Sequence, residues 1–179
     1  MRLVGPFIIL LIVLLVGGER YLSRAHSLRL RANENRAYLT CAAIHSASLS
    51  QWNANQPHPG FPQLRLPAPS TLVILQGTGN PEQTYAQDDL YLYGISTRET
   101  RSENTGKVLH DYILRAWPLE FGVTGDVEYL FQDGRFWAGA NTIGRSGTRV
   151  GFPPPFPAPD VDQLDSAWWP VPLPSNSGS

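Results

Sequence analysis

The sequence predicts an α+β protein: an N-terminal transmembrane helix extending into a long helix, packed on a small antiparallel β-sheet domain, with an extended Pro-rich C-terminal tail. Three observations carry this reading. Leu3 to Gly18 is a run of sixteen residues without a charge. The next stretch, Glu19 to Trp52, contains neither Gly nor Pro and many good helix formers. Short β-rich runs with turn residues between them then fill the middle of the chain. The resulting organisation is a transmembrane anchor over 1–22, its helical continuation over 23–55, a small α+β domain over 56–150 and a Pro-rich tail over 151–179.

The apolar run has three possible fates. At about 1.5 Å per residue it spans about 24 Å as a helix, short of a hydrocarbon layer of ~30 Å. If the helix continues through Tyr21, Leu22 and Ala25, Arg20 can snorkel and Tyr21 can sit at the interface, which closes the mismatch. That favours an uncleaved anchor. A signal peptide cut before Glu19 is the second reading, against which stands a positive region made only of the amino group and Arg2. A buried soluble helix is the third. The positive-inside rule would place the flank carrying Arg20, Arg24, Arg29 and Arg31 in the cytoplasm.

With 179 residues, 42% of them hydrophobic, the chain can build one domain with a real core. A formal net charge of -1 gives no basic surface of the kind that direct nucleic-acid binding requires. Cys41 is the single cysteine, so an intramolecular disulfide and a multi-cysteine zinc site are both excluded.

Within the long helix, Leu28, Ala32, Leu39, Ala42 or Ala43, Ala47 and Leu49 recur near helical spacing and are expected to form its packing face. Pro57, Pro59, Pro62, Pro67 and Pro69 stop the helix and make 56–69 a connector. Strands are expected at TLVILQ from Thr71, at DLYLYGIS from Asp89, and at VEYLFQ and RFWAGA on either side of Asp133-Gly134. Asp-Gly between two β-rich runs is the strongest hairpin signal here, because both central residues of a type I′ turn need positive φ. KVLHDYILRAW, from Lys107 to Trp117, fits a short helix or a strand, and its period does not decide. The end of the chain, from Gly151, cannot form a central strand and is expected to be extended. Its Phe152, Phe156, Trp168 and Trp169 must contact something, either as a strap on their own domain or as a partner-binding segment.

No catalytic set emerges. Gly77-Thr-Gly79 lacks the third glycine, the lysine and the strand-to-helix setting of a phosphate loop, and Gly144-Arg-Ser146-Gly147 is one residue short of a nucleophile elbow. His26, His45, His58 and His110 are scattered, and adjacent His110 and Asp111 point apart. Cys41 and His45 share a helix face but lack a third ligand, so packing is the expected role. Asp160, Asp162 and Asp165 lack the glycine and the distal glutamate of a calcium loop. Asp88 and Asp89 are expected to face opposite ways in an extended segment, which disqualifies them as an acid–base pair. The sequence therefore predicts no catalytic residue, no cofactor and no metal site.

The order of features is itself informative: an apolar amino-terminal helix, a polar helical continuation, a Pro-rich turn, then a β-rich domain. In this the chain resembles pilins and pseudopilins, and AYLTCAAIHSASLSQWNANQPHPGFP from Ala37 is similar to their helix end and following turn. It departs from processed pilins where those carry Glu at the fifth mature position: counted after Gly5, that place is Leu10. It is similar also to the PilM-type accessory proteins of conjugative type IVb pili, through Trp52-Asn53-Ala54-Asn55 with its following prolines, Leu90-Tyr-Leu-Tyr93, and Thr142-Ile-Gly-Arg145 before a Pro-rich end. The resemblance implies a single-pass protein of the bacterial inner membrane with a periplasmic C-terminal domain. Its role would be structural or in assembly, within a type IV pilus or a related secretion or conjugation system. Partners would be the lipid bilayer and other pilus or secretion-system proteins. An exported hydrolase-like enzyme and a cleaved, secreted binding module are the alternatives.

Overall fold

A computed structural model describes residues 4–52, 59–66, 71–75, 83–101, 108–132, 134–141, 164 and 166–172, the side chains of 4–16, 98–101 and 108–111 excepted. One helix, α1, runs unbroken from Val4 to Gln51, about 72 Å at the usual rise. It has two parts. None of residues 17–29 is buried, whereas from Leu30 onward one side of the helix packs against the sheet.

The buried stripe is Leu30, Ala37, Cys41, Ile44, His45, Ala47 and Ser48, which follows the 3.6-residue period. This corrects the packing face expected from the leucines: Leu28, Leu39 and Leu49 are 58%, 51% and 51% exposed and point away from the sheet. The reason lies in the partner surface. The sheet offers large aromatic side chains, so the helix face that fits them is built from small ones, and the bulky leucines are left on the outside. The helix ends at Gln51, whose side chain bonds both the N–H and the carbonyl oxygen of Arg65 (2.9 and 3.1 Å). The connector is thereby tied back to the helix end. A single 3-10 turn at Phe61–Gln63 follows, with Pro62 at its start and Phe61 buried.

Among the described residues seven strands form one antiparallel meander: β1 Val73–Leu75, β2 Gln83–Gln87, β3 Tyr91–Arg101, β4 Val108–Pro118, β5 Val127–Gln132, β6 Arg135–Ala140 and β7 Trp168–Pro170. Their spatial order is their sequence order. Four of the five β-rich runs noted above become strands β1, β3, β5 and β6. The fifth, the ambiguous Lys107 stretch, is β4, because its side chains alternate between two covered faces. Tyr112, Leu114 and Ala116 join the cluster under α1, while Ile113 and Trp117 join clusters on the other side. Between β5 and β6, Gln132 pairs with Arg135 and Gly134 has φ of 74°, as an Asp-Gly hairpin demands. β2, with its polar ends, and β7, next to proline, have no strong sequence signal. β7 sits at the sheet edge, the position that proline tolerates.

β3 and β4 pair over their whole length, from Tyr91↔Pro118 to Arg101↔Val108. Their neighbours are shorter, with β2 reaching only Ser96 and β5 only Leu114. The far half of this hairpin extends past both.

A layer of tyrosines lies between helix and sheet. Tyr91 donates to the carbonyl of Val127 (3.0 Å), Tyr93 to Asp88 Oδ2 (3.1 Å) and Tyr129 to the carbonyl of Glu34 (2.9 Å). Their rings bring large apolar area, worth about 1.5–3 kcal/mol for each large side chain fully removed from water. Each hydroxyl finds a partner at the rim of the core. Tyr129 also stacks on Phe136, centroids 5.8 Å apart. Gly125 is obligatory beside this layer: a Cβ there would run into the Tyr91 hydroxyl.

Candidate functional site

Among the described residues the two histidines that the sequence singles out are not brought together. His26 is exposed on the first part of α1, and His45 is buried with its ring 3.7 Å from that of Phe131. Nineteen helical residues, about 28 Å, separate them. The side chains of His110 and Asp111 lie outside the described residues, as do His58, Gly77-Thr-Gly79, Gly144 to Gly147, Asp160, Asp162 and Asp165. Cys41 shares the sheet-facing side of α1 with His45, as its spacing implies, and both are core residues. Burial, reinforced by the charge of Asp88, pushes the Cys41 thiol far above its ordinary pKa, which removes its nucleophilicity. Among the described residues no group of three or more His, Cys, Asp or Glu side chains could hold a metal ion.

The buried polar groups instead tether elements to one another. Asp88 caps the β2–β3 turn: its Oδ1 accepts the N–H groups of Leu90 and Tyr91 at 2.8 and 2.7 Å, an Asx turn. Asp89 next to it is exposed and pairs with Arg36 of α1 at 2.7 Å. The two aspartates do not simply face apart: they lie in the turn rather than in an extended strand, and the same Arg36 nitrogen is 3.9 Å from Asp88 Oδ2. Arg36 also reaches Thr71 Oγ1 (3.4 Å), so one guanidinium holds α1 to the end of the sheet where β1 begins and β2 ends. Glu34 accepts the backbone N–H of Asp126 (3.0 Å), which immediately precedes β5 at the same end of the strands. Burial raises the Glu34 pKa most, the nearby Asp126 charge raises it further, and the Asp126 N–H and Arg31 pull it partly back.

On the sheet face away from α1, Arg115 and Glu128 form an ion pair at 2.8 Å with side chains only 2% and 5% exposed. The Arg115 guanidinium also lies 4.9 Å from the Trp117 ring centroid, a cation–π contact. The pair was not legible in the sequence. Arg115 and Glu128 are on adjacent strands, and only the register, which sets Arg115 opposite Leu130, brings them together. The one available signal was an arginine interrupting the apolar alternation of Ile113 to Trp117.

What remains is surface. Of the four residues expected to bind a partner, Phe152 and Phe156 lie outside the described residues. Trp168 is part of the fold: its indole lies over Gly139, where a Cβ would come within 2.6 Å of the ring. Neighbouring bonds clamp the same segment, Ala140 N–H to the Ala167 carbonyl (3.0 Å) and Val171 N–H to the Phe136 carbonyl (2.8 Å). The Tyr38 hydroxyl of α1 donates to the Pro172 carbonyl. Trp169 is 45% exposed and is the one of the two tryptophans that presents itself to solvent.

The larger surface is on α1. Tyr21, Leu22, Leu28, Leu39 and Leu49 are all more than half exposed. Tyr21, Leu28 and Leu39 fall on the side of the helix opposite the sheet, and Leu49 on its flank. At about 100° per residue, Arg20, Arg24 and Arg31 form a second stripe within roughly 40° of one another, beside Tyr21 and Leu28. All three are exposed. Among the described residues no helix is long and apolar enough to cross a membrane; the side chains of 4–16 are not among them. No known family, curated protein or solved structure matches the chain.

Proposed function

We propose that the protein is a membrane-anchored structural or assembly component of a type IV pilus or a related secretion or conjugation system. In this reading residues 1–22 anchor a single-pass protein in the bacterial inner membrane, with the C-terminal domain in the periplasm. The supporting observation is the division of α1: one continuous helix joins the uncharged amino-terminal run to the domain, and none of its residues 17–29 is buried by the described residues. A helix of that length without tertiary contacts is marginal in water. It is well placed as a stalk when its first turns are held in lipid and its last turns in a core. The exposed leucine side of α1 and Trp169 supply apolar surface for a neighbouring subunit, so the work is done by binding.

Three measurements test this reading. Intact mass should equal that of the uncleaved chain, and washing at alkaline pH should leave it in the membrane. Protease added to spheroplasts should remove the domain. Release by the alkaline wash or a mass corresponding to a start at Glu19 would overturn the anchor, and a domain protected in spheroplasts would overturn its orientation. For the assembly role, the protein should co-purify with pilus or secretion-system subunits after mild cross-linking. Leu39→Glu together with Leu49→Glu should weaken that recovery while the domain stays folded.

A further inference from the structure

We infer that the stalk of α1 leans on an anionic lipid surface through the stripe of Arg20, Arg24 and Arg31, rather than standing upright from the bilayer. This inference rests on the anchor reading and deepens it by naming the lipid chemistry that the protein meets. Charge is the first ground. Residues 1–31 contain five arginines and one glutamate, while the rest of the chain contains nine basic and fourteen acidic residues. A protein with a net charge of -1 has thus gathered its positive charge at the end that carries the apolar run.

The second ground is geometric. Arg20, Arg24 and Arg31 share one side of the helix, and Tyr21 and Leu28, 73% and 58% exposed, lie next to it. These three cations with Tyr21 and Leu28 therefore fall within an arc of roughly 100°, while exposed Leu22 lies on the opposite side. The arc has the pattern that lies in a membrane interface with its apolar groups among acyl chains and its cations at phosphates. Arg29 falls on another side of the helix, about 160° from the centre of the stripe. It serves as an internal control.

Distance separates the leaning arrangement from an upright one. Arg31 is eleven residues past Arg20, about 16 Å along the axis. On an upright stalk it would stand beyond a screening length of about 8 Å at physiological ionic strength and contribute nothing. On a leaning stalk it reaches the surface, where each arginine is worth about fivefold in binding to anionic lipid. The inference therefore predicts an effect at Arg31 that an upright helix cannot produce.

The experiment uses the full chain, transferred from detergent into an equal mixture of phosphatidylcholine vesicles and vesicles containing about one-third phosphatidylglycerol, which supplies the anionic surface. The two populations are then separated by density. The protein should favour the anionic vesicles by more than about tenfold, and Arg31→Gln should lower that preference by about fivefold. Arg29→Gln should leave it unchanged, and high salt should abolish it. An even distribution of the wild-type chain, no effect of Arg31→Gln, or equal effects of Arg31→Gln and Arg29→Gln would each overturn the inference. Loss of the protein from both vesicle types on alkaline washing would mean that the anchor itself is wrong. Firm retention in both without preference would leave the anchor standing and remove only the stripe.

Discussion

Arg115 and Glu128 show how much a single residue can cost in this fold. Their charges sit under a sheet face with almost no solvent contact, so each depends on the other. Arg115→Met alone should destabilise the domain by about 3–5 kcal/mol, because Glu128 is left buried and unpaired. The double variant Arg115→Met, Glu128→Leu should recover most of that loss, and a double-mutant cycle from urea unfolding measures the difference. Equal losses in the single and double variants would mean that packing around Arg115, not its charge, matters. Glu34 makes a different residue-scale prediction. Its folded pKa is raised, so the native state holds a proton that the unfolded state releases, and stability falls as pH rises from about 4.5 through the folded value. Glu34→Gln keeps an acceptor for the Asp126 N–H and removes the titration. Relative to wild type, its stability should gain as the pH is raised through that window, by thermal unfolding followed across pH.

At the scale of elements, α1 illustrates what sequence reading reaches and where it stops. The existence and end of the helix were legible, since no Gly or Pro interrupts Glu19 to Trp52 and a cluster of prolines follows. The packing face was legible only in part: Ala47 and the Cys41–His45 pair lie on it, whereas Leu28, Leu39 and Leu49 do not. Periodicity of large apolar residues points to Leu28, Leu39 and Leu49, but the sheet selects for small volume, and Ala37, Cys41 and Ser48 carry almost no hydropathy signal. Ile44→Ala should therefore cost about 2–5 kcal/mol, whereas Leu39→Ala should stay within about 0.5 kcal/mol, both read from denaturant midpoints. The reverse order would restore the leucine face. The strands divide in the same way: aromatic alternation and the Asp-Gly turn announced β3, β5 and β6, while β7 became visible only through its pairing with β6.

Over the described residues, each strand pairs only with its predecessor and successor in sequence, so the sheet can assemble from hairpins, each over a short loop in sequence except for the long β6–β7 connection. Docking of α1 is the long-range event, joining Glu34 to Asp126 and Tyr129, and Arg36 to Asp89. The candidate surface was half legible at this scale: the arginines stood out in the sequence, but the bare middle of the helix, which gives them access, did not.

Cys41, at the centre of that docked face, is the chain's one thiol and is 1% exposed. It makes the native protein a self-reporting clock. A maleimide or aromatic disulfide reagent should be consumed only as fast as the helix lifts off, with a rate that Ile44→Ala accelerates and Leu39→Ala does not. Immediate labelling of the folded wild-type chain would show that α1 never seals the tyrosine layer.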